Sequence, residues 1–509
     1  MARLHDAVIK TRDGIMARNF NRDLFKHIEE LQREVASLRG DLAETKRRSS
    51  ERVAELEGRV QELEAENATL REENKRLLSD NIRLKRIINN NSKNSSLPPS
   101  TDRKPTKSVN EFNSRESTGR KPGAQPGHPG NTLTREKIQE LIDSKRCDYD
   151  SDDIGDLSNN YVSRFIVDFD VRVKIHETRI HADEHGKFEI PGEYRSSVIY
   201  GDGVKTMCLI LHAQGNVTAL RACEILSEMT NGVVSISEGT FHNICRQFSD
   251  ASEPSLQNIE TELMNSEVLY TDATNVTVNG VQEYIRNQST KDAVLYSPMR
   301  SKTGQELKDT GIIGNYTGIM VHDHEIALYQ FGTGHAECGA HIIRHLKKNY
   351  EETKHSWNLD MITFLCACNQ LNKELIEECG TTLSSMDIME QLSAEYDQIL
   401  AEGRKANELI HDENTQKADR ALLHRMAKYK DNHLLSLYRK DVEFTNNLSE
   451  RDLRKCKNRQ KISGGFRNQA GKSVYCKILS IIETVKRKTI PFVEAVKNIL
   501  AGKQIFCPN

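Results

Sequence analysis

The sequence EVLYTDAT, residues 267–274, joins a short apolar run to an acid at Asp272. A second apolar run, TGIMV at 317–321, is followed by HDH and places Asp323 in the same way. Such runs predict buried strands, and a single acid at a strand end is usually a turn residue. Two further strand candidates and a short helix separate the two acids, at 281–286, 293–299 and 304–309. Two acids at neighbouring strand ends could bind a hard divalent cation.

A helix is predicted from Asn446 or Asn447 in the sequence FTNNLSERDLRKCKNRQKISGGFRN, residues 444–468. Glu450 stands three residues after Asn447, where a glutamate can act as the reciprocal cap of a helix. The same stretch is dense in cations, namely Arg451, Arg454, Lys455, Lys457, Arg459, Lys461 and Arg467. A carboxylate among so many cations, in front of a glycine turn, favours a phosphodiester site over an ordinary surface.

Residues 22–90 are predicted to form a coiled coil. Leucine recurs every seven residues, at Leu24, Leu31 and Leu38 and then, after a stutter, at Leu56, Leu63, Leu70, Leu77 and Leu84. The other core position of the second series holds Asn67, Asn74 and Asn81, and buried Asn pairs favour a parallel dimer because they penalise other registers. A single helix packed on the rest of the protein has no reason to bury these asparagines. We therefore expect a homodimer.

Residues 91–130 form a basic linker rich in Pro and Gly, which is expected to be extended or disordered. Its GRKPG sequence contains Arg120 and Lys121 and resembles a basic stretch that lies in a DNA minor groove. A plain flexible tether explains the composition equally well.

Two segments separate this linker from the first acid. Residues 131–200 are predicted to form a small strand-containing module, because apolar and charged residues alternate from Phe165 to Ile175. Residues 201–265 are predicted to be helical, with a turn at Asn231-Gly232. A DNA-reading helix–turn–helix or two packed helices would both produce this pattern.

The net charge of −2, from 72 Lys and Arg against 74 Asp and Glu, hides an uneven distribution. Residues 131–200 carry ten basic and fifteen acidic side chains, whereas residues 451–477 carry nine basic and one acidic. No apolar run reaches the roughly 18 residues of a membrane span, and the N-terminus lacks the apolar core of a secretory signal. Eleven scattered cysteines fit a reducing cytoplasm rather than a disulfide framework. Membrane, secreted and collagenous classes are excluded.

Several motifs occur in an order that resembles DDE transposases of the bacterial insertion-sequence-66 family. They are the coiled coil, NSSLPPSTDRKP, GRKPGAQPGHPG, TDAT, the Asp323 segment with HAECGAHIIRH, NNLSERDLR and GGFRN. The resemblance covers nearly the whole chain, and its most specific parts are the linker and NNLSER.

The resemblance implies an α/β ribonuclease-H-like catalytic core with a metal-binding triad of acids, which match Asp272, Asp323 and Glu450. The 51 residues between the first two acids suit the predicted strands and helix. The 127 residues between the second and third exceed what such a core needs. We therefore expect the core at 266–349 and 441–509, interrupted by a helical insertion at 350–440.

The activity implied is cleavage of DNA strands at the element's terminal inverted repeats and transfer into target DNA. Two Mg²⁺ ions, or Mn²⁺ in their place, are the implied cofactors. The seven cations of 451–467, with Arg120 and Lys121, are expected to bind DNA. Accessory proteins of the same element are further expected partners, and the expected location is the cytoplasm, with the nucleoid.

One dense His/Cys cluster, His335-x2-Cys338-x2-His341, is followed by Arg344. It is a poor zinc site, because it lacks a C-x2-C partner pair. The resemblance assigns His341, with Cys338 and Arg344, to support of the acids or of phosphate.

Two departures from the family pattern stand out. Relatives carry paired C-x-x-C motifs between linker and core, but residues 131–200 contain only Cys147, so we expect that module without structural zinc. DAT also stands here where relatives more often have DET.

Two other functions compete with the transposase. One is a dimeric DNA-binding protein that uses the ribonuclease-H-like fold only as a scaffold, although all three acids are present. The other is a zinc hydrolase centred on His335, Cys338 and His341, which the poor ligand spacing disfavours.

Overall fold

The computed structural model describes residues 2–89, 133–154, 162–383 and 386–506. The chain divides into two compact units, Met1–Asn90 and Asn91–Asn509. The linker predicted to contact DNA through Arg120 and Lys121 lies outside the described residues.

The first unit is a single helix, α1 (Ala2–Asn89), of 88 residues. It continues without a break through the predicted stutter at 45–53. The heptad leucines whose side chains are described are 44–60% exposed in this single chain: Leu31, Leu38, Leu56, Leu63, Leu70 and Leu77. The side chains of Asn74 and Asn81 lie outside the described residues. A long helix with an open leucine stripe is consistent with a coiled coil, while the dimer remains a prediction.

The second unit begins, within its described part, with α2 (Arg135–Asp143), capped by the Thr134 side chain. The strand predicted from Phe165 to Ile175 is not formed, and residues 162–200 contain no strand. Phe169 is 80% exposed and Ile175 is 90% exposed, so the apolar face is not buried either. Alternating apolar and charged residues form a strand only when a neighbouring strand pairs with them. No strand in the described part of the chain pairs with residues 165–175.

A five-stranded sheet forms the centre of this unit. Its strands are β1 (Val268–Val278), β2 (Val281–Ser289), β3 (Val294–Met299), β4 (Ile319–His322) and β5 (Gly334–Glu337). They lie in the order β3-β2-β1-β4-β5. Strands β1, β2 and β3 pair antiparallel, whereas β4 and β5 run parallel to β1. This mixed α/β arrangement is compatible with the predicted ribonuclease-H-like core.

The hairpin between β1 and β2 turns at Asn279 and Gly280, which both have positive φ, 49° and 78°. Asn-Gly is the residue pair that a two-residue hairpin turn of this kind favours. The strands predicted at 281–286 and 293–299 lie within β2 and β3, and the predicted short helix is α7 (Gly304–Asp309).

Helices surround this sheet, and a continuous apolar core joins them to it. Those before it are α3 (Asp202–Ala213), α4 (Ala219–Met229), α5 (Glu238–Ala251) and α6 (Glu253–Met264). Those at the C-terminus are α13 (Asn447–Ser463), α14 (Gln469–Arg487) and α15 (Phe492–Leu500). Fully buried side chains such as Phe241, Ile259 and Tyr475 belong to this core. Helix α13 packs on β1 and β2, and α14 packs on β3.

A second apolar core extends from Ile342 to Leu437, so it begins before the start of the predicted helical insertion at 350 and otherwise lies within 350–440. Its helices are α8 (Gly339–Thr353), α9 (Trp357–Cys379), α10 (Met386–Glu408), α11 (Glu413–Lys428) and α12 (Lys430–Tyr438). Trp357, Tyr396 and Leu400 are buried at its centre. Among the described residues, no helix is long and apolar enough to cross a membrane.

Candidate active site

The parallel pairing of β1 with β4 brings the first two acids together. Asp323 follows the end of β4 as predicted, but Asp272 is the fifth of the eleven residues of β1 and not at a strand end, because the strand continues to Val278 in its pairing with β2. Tyr270 is opposite Val321, two residues before each acid, and Asp323 is close enough for its charge to act on Asp272. The Asp272 backbone N–H donates to Asn287 Oδ1 (3.1 Å), and its Oδ1 accepts from the Ala273 N–H (2.7 Å). Burial raises the pKa of Asp272 to about 6, and the neighbouring charge of Asp323 adds to the shift.

His341, on the first turns of α8, connects the second acid to the third. Its Nδ1 lies 2.8 Å from Asp323 Oδ1 and 3.9 Å from Glu450 Oε1. The Arg344 guanidinium donates to its Nε2 (2.8 Å). These contacts bring Asp272, Asp323, Glu450 and His341 together in one cluster, with Arg344 behind His341. The catalytic and metal-binding roles that the resemblance implies for the acids stay predictions.

Two influences act in opposite directions on the His341 proton. Burial disfavours the charged ring, but Asp323 and Cys338 outweigh it and raise the pKa of His341 to about 10. Arginine can only donate, so the Arg344 contact requires a free lone pair on Nε2. The ring proton therefore lies on Nδ1, the atom that faces Asp323.

Asn446 positions the start of α13 and with it Glu450. Its Nδ2 donates to the Thr271 carbonyl (2.9 Å), and its backbone N–H donates to Cys338 Sγ (3.2 Å). The N-terminus of α13 is thus attached to the strand that carries Asp272 and to the residue preceding α8. Cys338 acts here as a buried acceptor.

Glu450 does not act as the cap that its spacing allowed. The N-cap residue of α13 is Asn446, which has no side-chain capping hydrogen bond. Glu450 Oε1 is buried without a hydrogen-bond partner in the described part of the chain. Asp452, another acid on this helix, accepts instead from Ser289 (2.6 Å) and pairs with Arg487 (2.5 Å). The free carboxylate on this helix that faces the cluster is Glu450.

The carboxylates fit a hard divalent cation. Glu450 Oε1 is buried without a hydrogen-bond partner among the described residues, and Asp323 Oδ1 lies 2.8 Å from His341 Nδ1. Carboxylate oxygens such as these are what Mg²⁺ prefers. Asp323, Cys338 and His341 also place one donor atom each within 4.8 Å of one another. The Cys338 sulfur of that group already accepts from Asn446, so the acids are the better donor set.

His335 lies outside this group. Its Nδ1 is 3.2 Å from His322 Nε2, and its ring packs on Tyr329. His335 belongs to strand β5, Cys338 follows that strand, and His341 lies on α8, so the three residues come from different elements. The arrangement gives no support to a zinc site made of His335, Cys338 and His341.

The seven predicted DNA-binding cations differ in their surroundings. Lys455 pairs with Glu483 (2.5 Å). Arg459 points inward, where it donates to the carbonyls of His212 (3.4 Å) and Val217 (3.3 Å). The other five are exposed: Arg451, Arg454, Lys457, Lys461 and Arg467.

Three of the exposed cations share a helix face with the third acid. Glu450, Arg454, Lys457 and Lys461 are spaced i, i+4, i+7 and i+11 along α13, which places them in one row. A row of cations therefore leads away from the cluster along this helix.

Sequence reasoning missed Glu337, the last residue of β5, whose side chain is fully buried. It accepts from Tyr329 Oη (2.5 Å), contacts His324 Nδ1 (2.8 Å) and pairs with Arg425 of α11 (2.6 Å). Burial alone would raise the pKa of Glu337, but His324, His433 and Arg425 lower it well below its usual range. Glu337 thus connects Arg425, on the inserted helix α11, to His324, the residue that follows Asp323. A glutamate in the apolar setting of a strand end is the signal that could have revealed it.

Comparison with protein families identifies two matches. The model described as "Transposase IS66 family" matches residues 197–473, more than half of the chain. Residues 21–134 match a family of unknown function, DUF6444. Neither the curated proteins nor the solved structures contain a match.

Proposed function

The chain belongs to the IS66 family of transposases, and we propose that it is a DDE-type enzyme that cleaves DNA at element ends and joins it to target DNA. The observation that carries this proposal is the convergence of three acids from distant parts of the chain. Asp272 lies on the central strand β1, Asp323 follows the neighbouring strand β4, and His341 contacts both Asp323 and Glu450.

The three carboxylates would hold two Mg²⁺ or Mn²⁺ ions. When bound, such ions activate the attacking oxygen and stabilise the leaving oxygen of a phosphodiester. The protein itself contributes orientation: His341 fixes Asp323, Arg344 fixes His341, and Asn446 holds the start of the helix that carries Glu450. The exposed cations of α13 would bind the DNA backbone beside these acids.

The function is tested by metal-dependent nicking of a labelled duplex that carries the element ends. Asp272→Asn, Asp323→Asn and Glu450→Gln should each abolish cleavage while duplex binding is retained, because the amide keeps the shape but loses the charge that binds the cation. Glu443→Gln is the matched control, since Glu443 is 45% exposed and should be dispensable.

The outcomes separate the three candidate functions. Binding without any cutting by the wild-type protein in Mg²⁺ or Mn²⁺ would support the DNA-binding scaffold. Cutting that requires zinc would support the hydrolase. Cutting by all three acid variants would show that the active site lies elsewhere.

We also propose that the protein acts as a dimer through α1 and with accessory proteins of its element, on nucleoid DNA in the cytoplasm. The exposed leucine stripe of α1 supports the dimer. Family membership supports DNA as the partner.

A further inference from the structure

A cleft of about 660 Å³ lies between the helices that precede the sheet and the turn that joins α13 to α14. Its volume falls in the range of about 300–1,000 Å³ that is usual for small-ligand sites. The catalytic acids are not among its lining residues.

Three helix N-termini open into this cleft. They are those of α4, through Thr218, Ala219 and Leu220; of α5, through Glu238; and of α14, through Asn468, Ala470 and Gly471. The three helices have 11, 14 and 19 residues. The first backbone N–H groups of a helix lack partners inside it, and the helix dipole adds partial positive charge there. Convergence of three such ends favours an anion.

The side chains of the cleft favour the same kind of ligand. Arg246, Arg459 and Arg467 line it, against one carboxylate, Glu238. Arg246 and Arg467 are exposed, and no ion pair holds either of them in the described part of the chain. Arg459 is fixed from behind by main-chain carbonyls and by the Phe466 and Tyr475 rings.

A buried histidine supplies independent support. His212 lines the cleft, is only 6% exposed, and its Nε2 has no hydrogen-bond partner among the described residues. A buried polar atom without a partner destabilises the fold, so such atoms usually have a ligand or an ordered water.

We propose that this cleft binds a phosphate group of the DNA backbone, at a distance from the catalytic acids. The proposal rests on the proposed function, because the exposed row of Arg454, Lys457 and Lys461 runs along α13 from Glu450 toward the turn that lines the cleft. Arg459 and Ser463, which line the cleft, lie on the opposite face of α13 from this row, so a strand bound at the acids and along the row reaches the cleft by passing round the turn after the helix. Arg246, Arg467 and the three helix ends bind its phosphate.

The first experiment tests the cleft alone. Inorganic phosphate, compared with chloride at equal ionic strength, should raise the melting temperature of the full-length protein. The double variant Arg246→Gln/Arg467→Gln should lose most of that rise, whereas Arg404→Gln, an exposed arginine on α10, should keep it. An equal rise in all three proteins would overturn the cleft as an anion site.

The second experiment identifies the source of the phosphate. Binding of a fluorescent duplex is measured without divalent metal, so that cleavage plays no part. Each of Arg246→Gln and Arg467→Gln should lower the slope of log affinity against log salt by about one, and Arg404→Gln should leave it unchanged.

Each failure has a distinct meaning. If phosphate stabilises the protein but the slopes are unchanged, the cleft binds a free anion and DNA is the wrong source. If the wild-type protein binds no DNA at all, the proposed function fails, and the phosphate experiment still reports on the cleft.

Discussion

The backbone N–H of Asn446 donates to the sulfur of Cys338, 3.2 Å away, across 108 residues of sequence. This contact brings the start of α13 to the end of β5, on either side of the inserted helices. Both residues are buried, Asn446 fully and Cys338 to 99%. The position of the third acid therefore depends in part on a buried thiol.

Cys338→Ala should destabilise the protein by about 1–3 kcal/mol, because it leaves a buried N–H without an acceptor. Cys338→Ser, which retains an acceptor, should lose less. Urea unfolding measures both, and Cys456→Ala, at another fully buried cysteine, controls for lost volume. Equal losses for Ala at both positions would mean that the sulfur contributes only packing.

Glu450→Gln should leave the metal-free protein as stable as the wild type or slightly more so, because it relieves repulsion among neighbouring acids. Asp412→Ala is the contrasting variant: Asp412 caps α11 by accepting from the Thr415 N–H (2.8 Å), and its loss should cost about 1 kcal/mol. Thermal melting in a chelator distinguishes the two. If Glu450→Gln lowers the melting temperature as much as Asp412→Ala does, Glu450 acts as a helix cap.

Glu337→Gln should cost about 3–5 kcal/mol at neutral pH, because it leaves the Arg425 charge without its buried partner. The folded pKa of Glu337 lies below the unfolded value of about 4.3. Its stabilisation is therefore complete above that pH and declines as the pH falls toward the folded pKa. The difference between wild type and variant should shrink below about pH 4. Unfolding across pH measures it, with exposed Glu402→Gln as control, and a constant gap would contradict the buried charge.

Leu63→Glu with Leu70→Glu should abolish self-association through α1, because both positions lie on the leucine stripe. Ala65→Glu adds a charge on the opposite face and should leave the assembly intact. Sedimentation of the full-length proteins gives the stoichiometry. Equal stoichiometry for all three would show that α1 does not pair through its leucines.

The sequence predicted strand β1, which carries Asp272, and strand β4, which Asp323 follows, because short apolar runs are local signals. It also predicted the start of α13 to within one residue. These features depend on neighbours in the chain, which a sequence displays directly.

Features that depend on distant partners could not be predicted in the same way. The segment from Phe165 to Ile175 alternates but has no described strand beside it. Lys455 and Arg459 belong to a basic run that predicted DNA contacts. In the structure Lys455 pairs with Glu483, and Arg459 donates to main-chain carbonyls. Strand β5 was missed because its four residues, with His335 among them, show no clear apolar run.

The turn after α13 is joined to the far end of β1, since the Phe466 N–H donates to the Thr277 carbonyl (2.8 Å) and the Asn279 N–H donates to the Phe466 carbonyl (2.9 Å). Strand β1 and helix α13 therefore run side by side from the acids to the cleft, and their length fixes the distance between the two sites. The six residues of β1 after Asp272 span about 20 Å, and the thirteen residues of α13 after Glu450 span about the same length. At 3.4 Å per base pair this equals about six base pairs. A backbone footprint should thus contain an isolated protected phosphate about six base pairs from the cut, at a spacing that the protein sets and the DNA sequence does not.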